Sequence, residues 1–261
     1  MPWGLVDLVK NRRRLRNLGR GISPTEVFRT DRLALDAEQS GLSLFAAGHL
    51  RELGTVVDVG ANTGQWSSMF LNLVTPAKLI IIEPLPDAFG ILQQKFGNNS
   101  RVELHNLAIG ERESVETLKI TRDTTGASLL QPREEMRAVI GSNWTITSEI
   151  QVKMTTLDEL LGNVPEVSLL KIDVQGYERP VLAGATRTLA KTKFLLIELN
   201  FMAQYDGGSW LGEIHEMLTH DFGFFLANAS APQVLNGRAA MLDGLYVNPD
   251  LIHEWVKPDF V

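Results

Sequence analysis

From residue 55 onward the chain alternates short β-branched apolar runs with amphipathic stretches, at 55–59, 65–74, 78–82 and 87–96. Short Val/Ile-rich runs bounded by turn residues predict strands, and apolar positions three and four apart predict helices. The series continues with strands at 102–107, 168–174 and 194–199, helices over 178–190 and 210–219, and last strands at 224–227 and 241–247. Such alternation predicts an α/β fold, a seven-stranded, mostly parallel sheet with helices on both faces. Between residues 108 and 165 the rhythm breaks. Strand-like runs at 115–120 and 146–154 enclose a polar middle containing Gly126 and Gly141, which predicts an inserted hairpin or flap over about 111–154. Thr156-Leu157-Asp158-Glu159 then reads as a capping box opening a short helix. Residues 1–52 read as a helical extension, with a capping box at Ser23-Pro24-Thr25-Glu26. Residues 53–261 form the main domain.

Composition narrows this picture. The 261 residues are 44% hydrophobic and 21% charged, which suits one large globular domain rather than a disordered chain. No apolar run reaches the roughly 18 residues of a membrane span, and the apolar stretch at 3–9 precedes its basic residues, the reverse of a secretory signal, so a cytoplasmic protein is expected. The absence of cysteine excludes disulfides, thiolate nucleophiles, Cys-ligated zinc and Cys-dependent methyl transfer to carbon. Net charge is -6, yet Lys10, Arg12, Arg13, Arg14, Arg16 and Arg20 place six of the 25 basic residues in the first 20 positions. The remaining body is correspondingly acidic, which argues against a nucleic-acid surface. The basic arm reads as a solvated helix face; contact with an anionic partner, pairing in a homodimer and approach to a lipid-linked substrate stay open.

Chemistry concentrates where strands end. Val57-Asp58-Val59-Gly60-Ala61-Asn62-Thr63-Gly64 runs from a buried strand through a glycine turn into a helix, where doubly wound sheets bind nucleotides. Its spacing is not the Gly-x-Gly-x-x-Gly that admits pyrophosphate, and a carboxylate at Asp58 would repel one. Asp58, Gly60, Ala61, Asn62 and Gly64 instead suit the ammonium and sulfonium of S-adenosylmethionine. A tight corner with Asp58 as its cap is the alternative. Glu83, after three isoleucines and before Pro84, ends the second strand about 20 residues beyond the loop, where an acid accepts ribose hydroxyls. Asn106 and Ala108, at the third strand's end, are placed beside the adenine.

These segments, together with Leu169-Leu170-Lys171-Ile172-Asp173-Val174-Gln175-Gly176-Tyr177-Glu178, resemble the FkbM family of methyltransferases over roughly residues 54 to 247. Thr156-Leu157-Asp158 and Ile197-Glu198-Leu199 belong to the same ordered set. The resemblance implies a class I, Rossmann-like methyltransferase fold using S-adenosylmethionine, and O-methylation of a hydroxyl on a sugar, glycolipid or polyketide-type small molecule.

Methyl transfer from a sulfonium is an in-line displacement, so the protein must hold an acceptor oxygen behind the methyl carbon and help remove its proton. Asp173 and Glu198, at strand ends, are the expected base and partner, or ligands of a divalent cation such as magnesium, with Asn200 completing the group. The competing readings are a helix cap for Asp173 and an ion pair with Lys171 or Arg179 for Glu198. Of the five histidines only His215 is expected within reach of the pocket, and Tyr177 reads equally as a site wall or a helix anchor. Arg122, Asp123, Ser128, Arg133, Arg137 and Trp144 in the flap suit a polyol acceptor. Three rivals remain: a nicotinamide enzyme, which lacks its Tyr-x-x-x-Lys here; a methyltransferase for amino nitrogen or a macromolecule, which lacks its Pro-Pro-aromatic motif; and a non-catalytic cofactor-binding protein.

Overall fold

The computed structural model describes residues 53–136 and 141–252. The expected extension over residues 1–52, together with His49, Arg137 and His253, lies outside the described residues. β1 (Thr55–Val59), α1 (Gln65–Leu73), β2 (Lys78–Ile82), α2 (Pro86–Phe96) and β3 (Val102–His105) follow the predicted order. After the insertion come α3 (Leu157–Leu160), β7 (Val167–Ile172), α4 (Glu178–Ala183), α5 (Thr186–Leu189), β8 (Thr192–Asn200) and α6 (Leu211–Glu216). β9 (Phe225–Ala229), β10 (Gln233–Leu235) and β11 (Arg238–Val247) complete the main sheet, in which the strands run β10-β11-β8-β7-β1-β2-β3 and β9 pairs with β11.

The sheet therefore holds eight strands among the described residues, one more than the alternation predicts. The addition is β10, three residues long, too short to carry a period-two signal. β1, β2, β3, β7 and β8 pair in parallel, and β11 runs antiparallel to β8. The chain leaves β1 toward β2 and β3, then returns through β7 on the other flank of β1. That reversal opens a crevice beyond the carboxyl ends of β1 and β7, the place where such sheets bind ligands.

The insertion is a second, three-stranded sheet: β4 (Ala108–Ile109), β5 (Ser114–Thr121) and β6 (Ile146–Thr155), with β5 and β6 antiparallel as a hairpin. Leu118, Val152 and Met154 bury one face of it against Leu85 and Ala88 of the α2 region. The helix expected over 178–190 is broken at Gly184. A Cβ there would come within 2.1 Å of the Gly110 carbonyl oxygen, and Asp158 caps the new helix start by accepting from Arg187 N at 2.9 Å and Thr188 N at 2.7 Å. Close packing of the insertion's root on this corner thus overrides a continuous helical pattern. The helix predicted over 210–219 ends earlier, passing into a wider turn over Met217–Asp221.

Candidate functional site

A cavity of about 440 Å³ opens at the crevice, walled by the β1–α1 turn, the end of β2, the β7–α4 loop, β11 and the flap. Of the expected residues, Gly60, Ala61, Asn62, Glu83, Pro84, Ala108 and Asp173 line it. The β1–α1 turn hangs on β2, with Gly60 N and Ala61 N donating to Ile82 O. Gly60 has φ +77°, and a Cβ there would lie 1.9 Å from the Asp173 carbonyl oxygen. Only glycine lets β1 and β7 deliver their loops so close together. Glu83 is buried at the base of the cavity, its Oε2 accepting from Asn62 N at 2.6 Å and its Oε1 from Leu85 N at 2.8 Å. Burial pushes its carboxyl up to about 7, against the pull of those two N–H groups. Each oxygen keeps a lone pair, which suits a ligand presenting two hydroxyls.

Three cofactor candidates are placed elsewhere. Asp58 is fully buried behind the cavity wall: Ser67 Oγ donates to its Oδ2 at 2.6 Å, and the Lys171 ammonium lies 3.2 Å from Oδ1 as an ion pair. Gly64 is a packing glycine, since a Cβ would meet Leu92 at 2.6 Å and Phe96 at 2.8 Å. The Asn106 amide donates to the Glu83 and Pro84 carbonyls, tying the β2 end to β3 rather than presenting itself to a ligand. Ala108 alone of the third-strand pair reaches the cavity.

Around β7 and β8 the expected catalytic pair is split. Asp173 lines the cavity and accepts from Gln175 Nε2 at 2.9 Å, with Lys171 Nζ 3.4 Å from its other oxygen. Glu198 sits behind it, 8% exposed, accepting from Asn200 Nδ2 at 3.1 Å and Gln175 Nε2 at 3.4 Å. Burial, then the charges of Asp173 and Glu178, raise Glu198 well above the usual carboxylate range. A divalent cation shared by Asp173 and Glu198 does not fit, because the Gln175 amide N–H groups lie between them and the Lys171 ammonium already stands beside Asp173. Among the described residues no three His, Asp or Glu side chains form a metal-binding group. Asn200 is buried against Glu198, with Gln204 donating to it at 2.5 Å, and does not line the cavity. His215 is also elsewhere, 3.0 Å from the Tyr246 hydroxyl. Tyr177 serves both expected roles, lining the cavity while packing on the core beneath α4.

Two residues at the site are not among the expected site residues; Lys171, read only as an ion-pair alternative for Glu198, pairs with Asp58 and Asp173 instead. Lys171 is buried yet charged: burial lowers its basicity, but the Asp58 and Asp173 carboxylates outweigh it and hold the ammonium above its ordinary range. Asp243 of β11 reaches the cavity from a strand whose motif is otherwise plain. The flap closes one side. Asn62 Nδ2 donates to Thr124 O, Ser128 Oγ to Gln175 O, and the buried Tyr205 hydroxyl to Gly126 O at 3.0 Å. Trp144 packs on Tyr205 with ring centres 5.1 Å apart.

The description that matches this chain, over residues 58–226, is the methyltransferase FkbM domain. The chain belongs to the FkbM methyltransferase family. It is 28% identical over 174 residues to the 2-O-methyltransferase NoeI of Sinorhizobium fredii, covering 62% of this chain and 70% of that protein. It is 28% identical over 149 residues to the hexuronic acid methyltransferase AglP of Haloferax volcanii, covering 55% of this chain and 54% of that one. Among solved structures, methyltransferase FkbM from Methylobacillus flagellatus KT superposes with a TM-score of 0.48 at 15% identity, over 93% of this chain and 60% of that chain. Asp58, Glu83 and Asp173 all fall inside the matched family span, whereas Asp243 falls outside it. No helix of the described residues is long and apolar enough to cross a membrane.

Proposed function

We propose that this FkbM methyltransferase uses S-adenosylmethionine to methylate a hydroxyl oxygen of a small, neutral, hydroxylated molecule of the sugar, glycolipid or polyketide kind. One observation carries the reading: a single cavity joins Glu83, with a free lone pair on each oxygen, to the Asp173 and Asp243 carboxylates across the β1–β7 crevice. The name of NoeI, a methyltransferase for a 2-O position, supports the hydroxyl chemistry, and that of AglP supports a sugar-type acceptor, there an acidic one. Bound with its ribose on Glu83, the cofactor supplies a methyl carbon made electrophilic by sulfonium charge. The ionised groups at the opposite end, Asp58 and Asp173 against Lys171, carry a net negative charge that favours that cation and disfavours an anionic acceptor. The flap residues from Thr124 to Leu129 wall the acceptor side and exclude water, and Lys171 holds Asp173 in place.

Titration calorimetry with S-adenosylmethionine, S-adenosylhomocysteine and NAD is the first test, followed by transfer of a labelled methyl group to neutral sugars and to uronic acids, with and without magnesium. Binding of the two adenosyl compounds but not NAD, and metal-independent labelling of neutral acceptors, are expected. Preference for NAD would overturn the cofactor; labelling confined to carboxylates would overturn the acceptor class.

A further inference from the structure

The carboxylates that line the cavity differ in what they already hold. Glu83 stands at the β2 end and accepts two backbone N–H groups; Asp173 accepts from Gln175 and pairs with Lys171. Asp243 makes no side-chain hydrogen bond or ion pair among the described residues: only its backbone is engaged, N donating to Ser230 Oγ and O accepting from Ser230 N. Its place follows from register. Asp243 stands directly opposite Glu198 across the β8–β11 ladder, and Leu196 of β8 stands opposite Lys171 of β7. Cross-strand partners share a face, so Asp243, Glu198, Lys171 and Asp58 lie on one side of the sheet at its carboxyl end. A carboxylate left without a donor in a half-buried cavity is costly unless a ligand supplies one.

We propose that Asp243 is the base that receives the acceptor hydroxyl's proton, an assignment that rests on the O-methyltransferase reading above. The acceptor O–H bond breaks as its proton passes to an Asp243 oxygen. The oxygen's electron pair forms the new bond to the methyl carbon, whose bond to sulfur breaks with its electrons staying on sulfur. The proton then leaves to solvent through the cavity mouth. Asp173 is already engaged by Gln175 and Lys171, and Glu198 does not line the cavity. The groups facing Asp243 are Glu198 from β8 and Lys171 and Asp173 from β7; on its other flank β9 and the loop after it offer Asn228 and Ser230, which are uncharged. Burial and the Asp173 charge push Asp243 up to about 6, with Lys171 opposing. A base poised just below neutrality is both ionised and able to hold a proton.

The experiment needs no acceptor. Carbon-13 NMR of the aspartate carboxyls of the full chain, with Asp243 assigned by its loss in Asp243→Asn, is recorded against pH with saturating S-adenosylmethionine and again with S-adenosylhomocysteine. A base placed behind the methyl group lies within several ångströms of the sulfonium, so Asp243 titrates about one pH unit lower with the charged compound than with the neutral one. Identical titration in the two complexes overturns the assignment of Asp243. Failure of either compound to bind in calorimetry overturns the methyltransferase site itself, which is a different result. With an acceptor in hand, Asp243→Asn lowers kcat by about 100-fold or more, leaves S-adenosylhomocysteine affinity and acceptor KM within a few-fold and removes the acid limb of the pH profile, while Asp243→Glu recovers part of the rate. A kcat within a few-fold of the parent in Asp243→Asn also overturns it.

Discussion

On one face of the main sheet Val57, Val59, Ile80, Ile82, Leu170, Ile172, Ile197 and Leu199 are apolar from end to end. On the other, Val56, Leu169, Leu196 and Leu245 belong to a second core, but two residues toward the carboxyl end of the sheet the same rows carry Asp58, Lys171, Glu198 and Asp243. The first face is covered along its whole length by α3 to α6, and the Tyr246 hydroxyl on it is answered by His215. The second is covered by α1 and its neighbours only as far as the turn at Gly60, and beyond it opens into the cavity. Polar groups survive at that end because each answers another: Lys171 pairs with Asp58 and Asp173, Gln175 bridges Asp173 and Glu198, and Asn200 donates to Glu198. Asp243 is the exception, and exceptions of this kind mark places where a ligand is expected.

The strongest way to break this contrast is Lys171→Met, which leaves the fully buried Asp58 carboxylate without its cation, beside the half-buried Asp173. It is expected to cost about 3–5 kcal/mol in urea unfolding; a cost below about 1 kcal/mol would mean that the ammonium does not hold the charged end together. Leu170→Ala on the apolar face is expected to cost about 3 kcal/mol through the cavity left behind. The folded fraction should still bind S-adenosylmethionine with parental affinity, because no charged residue has been touched.

Glu83→Gln sharpens the comparison from the ligand side. Calorimetry should show affinity for S-adenosylhomocysteine falling about 10- to 100-fold, the loss of a charge-assisted pair of acceptors worth about 1.5–3 kcal/mol. The same variant tests a pH effect in the unliganded protein. Glu83 is raised from 4.5 to about 7 on folding, so between those values the native state holds a proton that the unfolded chain has released. Stability contributed by that protonation is complete below about 4.5 and is lost as pH rises toward 7. Thermal midpoints should therefore decline across this window, and the decline should be shallower in Glu83→Gln. The smallest effect belongs to Val115→Ser on the exposed face of the flap, where Val115 is 61% exposed. A change within about 0.5 kcal/mol is expected, and a larger loss would show that this face is covered by something.

Local chemistry made much of this legible in advance. Period-two apolar runs and the capping box at Thr156 fixed the strands and the short helix after the insertion, and the Gly60 turn with Glu83 at the next strand end announced a nucleotide-type crevice, because these features depend on residues adjacent in sequence. Sequence order alone also located the flap as the stretch where alternation fails. What it could not give was which way each polar side chain turns. Asp58 read as a cofactor ligand because it adjoins the turn, yet it is the even position of β1 and points behind the wall to Ser67 and Lys171. Asn106 read as an adenine neighbour, but its amide closes the β2 loop. Glu198 and Asp173 read as base and partner, or as ligands of a divalent cation, and only the folded chain sets Gln175 between them and Lys171 beside Asp173. Asp243 lies about 70 residues from Asp173 along the chain, in a strand with no motif; only antiparallel pairing with β8 carries it to the site. Hydrophobic periodicity and turn residues are written locally and so can be read from the chain itself, whereas the partner of a buried charge is chosen by strand register across the sheet, which exists only once the chain has folded.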